Sequence, residues 1–352
     1  MTETNKWVTL PNEFREINLT SDYPNNIEVK TVVQQFQETV NFYGNKTAFK
    51  YEENEEWVNI TWNKYNDLVN QSTKSLIKFG ISANQGVAIH GFNSYQWIVA
   101  NLAAIFSKGL SVGIYPTNGP EVCKYIIDHS KTKVLFVDTI ANLNKYIEDD
   151  KILEGINHVI VWNDQVSKEN YNFSIYSWQE FLEFGQDVSD DDLNSRKIEQ
   201  NGHDVCSLIY TSGTTGFPKA VMLSHDNLIW TSKVLKDEIN LNEEDRIVSY
   251  LPLSHVAAQA VDIYAPMISG CELAFARQDA LKGSLTVTLQ AIRPTIFFGV
   301  PRVWEKIEEK MKAVGRSTTG LKKIIVDYAK SVGLYGGYAL QRGEDNSFLY
   351  NL

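Results

Sequence analysis

Apolar and polar positions follow two different periods along this chain, and the switches between the periods outline its elements. Across residues 31–43 the apolar side chains Val33, Phe36, Val40 and Tyr43 recur three or four apart, and across 61–79 Trp62, Tyr65, Leu68, Val69, Leu76 and Phe79 do the same. That spacing gathers them on one face, so both segments are expected to be amphipathic helices, the second stopped at Gly80. Short unbroken apolar runs follow at 86–90, 110–115, 133–138 and 159–162, interrupted by a helix expected to be capped by Ser94 and another with Pro120 in its first turn. Apolar runs of this length between helices are the pattern of buried parallel strands.

Residues 187–202 are polar and acid-rich, the pattern of a surface connector, and the alternation resumes beyond them. Strands are expected at 205–210, 220–223, 247–251, 272–276 and 295–298, with helices from Ser224, over 256–268 and ending at Ile292. The fold class expected is α/β, two wound sheets flanked by helices. Its expected organisation is an N-terminal extension (1–30), a first α/β lobe (31–186), the connector (187–202), a second α/β lobe (203–304) and a helical tail (305–352). Open sheets of this kind bind ligands beyond the carboxyl ends of their strands.

Composition narrows the class of ligand. With 43% apolar and 22% charged residues the chain reads as an ordinary globular protein, and 33 Lys plus Arg against 43 Asp plus Glu give a net charge of −10. A nucleic-acid partner is therefore not expected, and any anion must be held by local groups. Cys123, Cys206 and Cys271 lie far apart, in or beside apolar runs, as reduced core cysteines do, which points to the cytoplasm. The first residues, M-T-E-T-N-K-W, lack the basic start and apolar core of a secretory signal, and the apolar segment 94–107 contains Gln96 and Asn101 and is too short to cross a bilayer. No transmembrane helix is expected; peripheral contact with an internal membrane stays open.

The chemistry concentrates in residues 210–225, Y-T-S-G-T-T-G-F-P-K-A-V-M-L-S-H, between two expected strands. Gly213 and Gly216 let the backbone approach an anion without an intervening Cβ. Thr211, Ser212, Thr214 and Thr215 add hydroxyls that can bond phosphate oxygens or complete a magnesium shell, and Lys219 adds a mobile positive charge. The spacing is not a Walker loop, because Pro218 stands five residues after Gly213 and Ala220 follows Lys219. No G-x-G-x-x-G opens a helix after a strand, and neither H-R-D nor D-F-G is present, which sets aside a dinucleotide enzyme and a protein kinase. Composition alone leaves a solvated Thr/Ser/Gly hairpin as an equal reading; the order of the residues changes that.

T-S-G-T-T-G-F-P-K-A-V-M-L-S-H resembles the nucleotide-binding signature of the adenylate-forming superfamily, apart from Ala220, where most relatives have Gly. Y-L-P-L-S-H-V-A-A-Q at 250–259 resembles that family's acyl-site motif, and G-V-P-R-V-W-E-K-I at 299–307 resembles its long-chain acyl-CoA synthetase branch; L-P-L-S-H-V-A-A-Q with P-K-A-V-M-L-S-H-D-N looks most like the bubblegum-type subgroup. By residue type alone His255 is more often a helix cap or a satisfied core histidine. The resemblance implies that the loop from Thr211 to Lys219 holds the ATP phosphates, that Thr214 helps hold Mg2+, and that His255 orients the carboxylate. It further implies that His255, Gln259 and Gly299 border a long-chain fatty acid, although some relatives have a bulky aromatic gate where this chain has Gln259. Coenzyme A would be the co-substrate, and the implied activity is ATP-dependent formation of acyl-CoA through an acyl-adenylate. The family's later motifs, a magnesium-binding Glu, a ribose-binding Asp and a catalytic lysine on a small C-terminal domain, are not found after Trp304. The alternative expectation is thus a truncated, non-catalytic or regulatory paralogue that retains weak nucleotide binding and completes no acyl-CoA synthesis alone.

Overall fold

The computed structural model describes residues 28–148, 151–171, 173–211, 216–317 and 319–344, so most of the expected N-terminal extension and the loop residues Ser212, Gly213, Thr214 and Thr215 lie outside the described residues. The chain divides into two compact units, the first up to Phe297 and the second from Phe298.

In the first unit the strands are, in chain order, β1 (Thr47–Glu53), β2 (Glu56–Thr61), β3 (Gly86–His90), β4 (Leu110–Ile114), β5 (Thr132–Val137), β6 (Ile147–Glu148), β7 (Lys151–Ile152), β8 (His158–Val161), β9 (Ser174–Ser177), β10 (Val205–Thr211), β11 (Lys219–Ser224), β12 (Arg246–Ser249) and β13 (Glu272–Phe275). A seven-stranded sheet runs β11-β10-β4-β3-β5-β8-β9, and a four-stranded sheet runs β12-β13-β1-β2. All neighbours in the larger sheet are parallel except β10 and β11. Every residue of β3 and β4 is buried, which is why their sequences are apolar runs interrupted only by small residues and His90.

The sheets do not follow the division into sequential lobes. Strands β10 and β11, expected to open the second lobe, extend the sheet built from β3, β4, β5, β8 and β9, while the hairpin β1–β2 joins β12 and β13 in the other. Each half of the chain supplies strands to both sheets, because burying a central strand on both faces is worth more than keeping neighbours in sequence together. The sequence pattern did not disclose the hairpin: its charged run turns at Asn54 and Glu55, both with positive φ (51° and 66°), a two-residue turn of the kind usually marked by Asn-Gly.

Two other expectations are corrected. Within the expected connector 187–202, Asp190–Ile198 is a helix, capped by Ser189 and carrying Asp190, Asp191 and Asp192 in its first turn and Arg196 and Lys197 in its last. Those charges, which read as a solvated loop, complement the helix dipole at both ends. The strand expected at 295–298 reduces to a single bridge, Ile296 with Ile247. Ser94 caps Tyr95–Phe106 and Pro120 opens Pro120–Ser130 as expected, Val32–Tyr43 starts at a capping box of Thr31 and Gln34, and the helix expected over 256–268 is interrupted by a π-helical stretch, Ala260–Tyr264. All three cysteines are buried free thiols. The second unit contains the helices Pro301–Ser317 and Gly320–Gln341.

Gly270 ends the helix Ala265–Ser269 at φ +77°, and a Cβ there would overlap the Tyr43 ring, whereas Gly80 has φ +80° with no atom close to its Cβ position. Gly80→Ala is therefore expected to cost only the left-handed backbone penalty, about 1–2 kcal/mol. Gly270→Ala is expected to cost clearly more; urea unfolding of both variants measures the difference, and equal losses would show that Tyr43 moves aside freely.

Candidate functional site

Strands β10 and β11 pair from Val205 with Ser224 to Thr211 with Lys219, so the loop between them leaves the sheet at a fixed, closed end. The Thr211 Oγ1 lies 3.5 Å from the Lys219 carbonyl oxygen across that neck. On the return side Gly216 has φ +89°, the left-handed backbone its lack of a Cβ allows. The next residue, Phe217, stacks on Tyr125 with ring centroids 4.6 Å apart; Tyr125 in turn stacks on His129, and the His129 Nδ1 is 2.8 Å from the Tyr210 hydroxyl. Helix Pro120–Ser130 thereby braces both the entry and the exit of the loop. Burial pushes the Tyr210 phenol well above its ordinary range, so it stays neutral and able to donate.

The turn that carries His255 reaches the same place through the neighbouring strand. β4 pairs with β10, with Gly113 opposite Ile209, two residues before Thr211. Gly113 meets the 252–255 turn so closely that a Cβ on it would stand 3.0 Å from the Ser254 Cα. The turn thus lies against the middle of the larger sheet at the carboxyl ends of β4 and β10, where an α/β fold places its ligands. The outcome is a cavity of about 340 Å³ lined by Tyr115, Asn118, Ile209, Tyr210, Thr211, Pro218, His255 and Val256.

His255 is exposed and its ring Nδ1 accepts the Ala257 backbone N–H at 3.1 Å, so it caps the short helix Val256–Gln259 and also faces the loop's cavity. While that bond holds, the ring proton of neutral His255 sits on Nε2, leaving a donor available for an anionic oxygen.

The other expected site residues are placed differently. Lys219 is exposed at the first position of β11. Gln259 does not line this cavity: it is fully buried, and its Nε2 donates to the Leu253 carbonyl at 2.9 Å. Burial behind the turn makes it a support of the His255 backbone in this geometry. Gly299 belongs to the second unit, where its carbonyl accepts the Trp304 indole N–H at 2.9 Å. Among the described residues no group of three or more His, Cys, Asp or Glu is arranged to hold a metal ion.

Three positions near the site escaped the sequence reading: Asn93, Gly113 and Asp262. Asn93 and Gly113 each stand at or just beyond the carboxyl end of a buried parallel strand, a location that could have flagged them. Asp262 lies inside a π-helical stretch, Ala260–Tyr264, a type of irregularity often found at functional sites. Burial raises its carboxyl pKa to about 8 against the lowering effect of a hydrogen bond from Ser249, and its Oδ2 has no partner among the described residues.

Solved structures with this architecture place it in a class. The chain superimposes on the A domain of carboxylic acid reductase from Segniliparus rugosus, in complex with AMP and a co-purified carboxylic acid, with a TM-score of 0.70 at 15% identity, covering 86% of this chain and 54% of that one. It also matches the anthranilate CoA ligase AuaEII in complex with anthranoyl-AMP, with a TM-score of 0.64 at 19% identity, covering 78% and 50%. The fold is that of the N-terminal domain of adenylate-forming enzymes. Residues 36–342 match the AMP-binding enzyme family, and the chain belongs to that family.

Among curated relatives, the long-chain-fatty-acid–CoA ligase ACSBG2 of Gallus gallus is 42% identical over 336 residues, covering 94% of this chain and 44% of that protein. The human ACSBG1 ligase is 36% identical over 308 residues, covering 86% and 42%. The chain spans less than half the length of these relatives.

The native Asp262 carboxyl keeps its proton up to about pH 8, whereas an unfolded aspartate releases it near 3.8. The native state thus binds the extra proton between those values, and stability must fall as pH rises through that window, by at most about 1.4 kcal/mol per unit. Asp262→Asn removes the titration while keeping an acceptor for Ser249. The wild type is expected to lose more Tm than the variant between about pH 5 and pH 9; parallel losses in thermal melts would contradict a neutral native Asp262.

Proposed function

We propose that this protein acts in the ATP-dependent activation of long-chain fatty acids to acyl-CoA through an acyl-adenylate. The observation that supports the reading best is that Thr211 and Pro218, at the two ends of the phosphate-loop signature, and His255 of the acyl motif line one cavity. In the first step a carboxylate oxygen attacks the α-phosphorus of ATP, the bond to the bridging oxygen breaks and pyrophosphate leaves. In the second the coenzyme A thiolate attacks the acyl carbon and AMP leaves. The protein contributes positioning and charge stabilisation. Backbone N–H groups at Gly213 and Gly216 and the hydroxyls of Thr211, Ser212, Thr214 and Thr215 would bond the phosphates, with Lys219 neutralising charge. His255 would donate a hydrogen bond from its Nε2–H to the fatty-acid carboxylate and hold it against the α-phosphate.

Mg2+ fits this reading as an ion carried largely by the phosphates, since such ions keep waters and use few protein ligands; Thr214 is the ligand proposed. Its role would be to offset phosphate charge. Long acyl chains partition into bilayers, so the proposal includes peripheral contact with an internal membrane from the cytoplasmic side; no described helix is long and apolar enough to cross one.

Two measurements test the reading. Lys219→Ala is expected to weaken ATP binding about tenfold or more in calorimetric titration, in line with about 1.5–3 kcal/mol for a charge-assisted bond. Equal affinities would remove Lys219 from the phosphate site. His255→Ala is expected to lower fatty-acid-dependent ATP–pyrophosphate exchange about 10- to 100-fold while changing ATP affinity little. A matching fall in both would make His255 a structural cap.

A further inference from the structure

The segment 250–255, which carries His255, has no regular secondary structure, yet it passes through the interior: Tyr250 and Leu253 are each 1% exposed and Ser254 is 2% exposed. A buried backbone without a ladder must find its hydrogen bonds elsewhere. It finds two of them on one side chain, which also grips the last residue of β12. Asn93, 4% exposed in the loop between β3 and the helix Tyr95–Phe106, donates from Nδ2 to the Ser249 hydroxyl at 2.8 Å and to the Leu251 carbonyl at 2.7 Å, and its Oδ1 accepts the Leu253 N–H at 3.1 Å. Both amide hydrogens are used. The three partners are alternate residues leading directly to His255.

The clamp works against two other supports. The Leu253 carbonyl is taken by the Gln259 amide, and Ser254 rests where Gly113 leaves no Cβ. The His255 N–H then closes the turn on the Pro252 carbonyl at 2.9 Å. Asn93 also spans the two sheets, since it follows β3 of the larger one and grips the exit of β12 in the smaller. Its bonds hold the segment that leads into the turn over β4.

We propose that Asn93 is a positioning residue for His255, holding the irregular segment so that the ring faces the loop cavity. This rests on the reading of His255 as the group that orients the fatty-acid carboxylate. Without Asn93 the buried Leu253 N–H and Leu251 carbonyl lose partners, and the turn relaxes toward other donors and acceptors. A shift of about 1 Å at a reacting group can cost on the order of a hundredfold in rate.

The test uses the full 352-residue chain. Asn93→Ala and Asn93→Asp are compared with wild type; the Asp variant keeps the shape and the acceptor for Leu253 but loses both donated bonds. The imidazole nitrogen NMR signals of His255, assigned with His255→Gln, report directly on the Nδ1 bond to Ala257. In whichever variant stays folded by circular dichroism, the His255 signals are expected to move while the other histidines stay, and ATP affinity is expected to stay within about twofold. Fatty-acid-dependent pyrophosphate exchange is expected to fall about 10- to 100-fold through kcat, with little change in the KM for ATP. Unmoved His255 signals in a folded variant would overturn the proposal, as would equal losses of ATP affinity and exchange. If wild type shows no fatty-acid-dependent exchange, the functional reading fails, and the His255 signals still decide whether Asn93 positions the ring.

Discussion

The parallel pairing of β10 with β4, from Ser207 on Ser111 to Ile209 on Gly113, is the contact on which the rest of the site depends. It inserts a strand from late in the sequence beside strands formed early, and it leaves β11 alone to cover the outer edge by an antiparallel turn. A parallel pair inside a sheet buried on both faces has a register set by its apolar side chains. That register carries the start of the loop between β10 and β11 to the carboxyl end of the sheet. The position of the loop's two ends is therefore a consequence of core packing.

The second sheet is tied to the first by a few buried polar side chains. Asn93 reaches from the end of β3 to the exit of β12. Asn101, in the middle of the apolar helix Tyr95–Phe106, accepts from the Ser111 hydroxyl at 2.6 Å and donates to the Tyr264 hydroxyl at 3.3 Å. In the sequence Asn101 only made that helix too polar for a bilayer; in the fold it links β4 to the π-helical stretch that holds Asp262. Satisfied buried networks of this kind specify one arrangement of packed layers, because any other leaves polar groups unpaired at a cost of about 1–3 kcal/mol each.

Loop and turn are also braced on opposite sides by unlike means. Stacked rings from Phe217 through Tyr125 to His129 and the His129–Tyr210 hydrogen bond steady the two ends of the loop between β10 and β11. Amide hydrogen bonds from Asn93 and Gln259 steady the His255 turn, where the backbone is buried and demands partners. The absent side chain of Gly113 lets the two approach.

Local signals in the sequence were sufficient for most of the elements and for the family. Apolar spacing placed most helices and buried strands, Thr31, Ser94 and Ser224 marked helix starts, and the order of residues from Thr211 to Lys219 and around His255 identified the family. These features are fixed by residues near one another in the chain, so they can be read there. The interleaving of the sheets, the β1–β2 hairpin, the burial of Gln259 and the contacts of Asn93, Gly113 and Asp262 were decided only by the tertiary structure. Each depends on partners far away in sequence: an amide looks the same whether it faces water or three buried backbone and hydroxyl groups, and a glycine looks the same whether its missing Cβ faces solvent or another loop. Packing decides between those states, and packing is a property of the assembled layers.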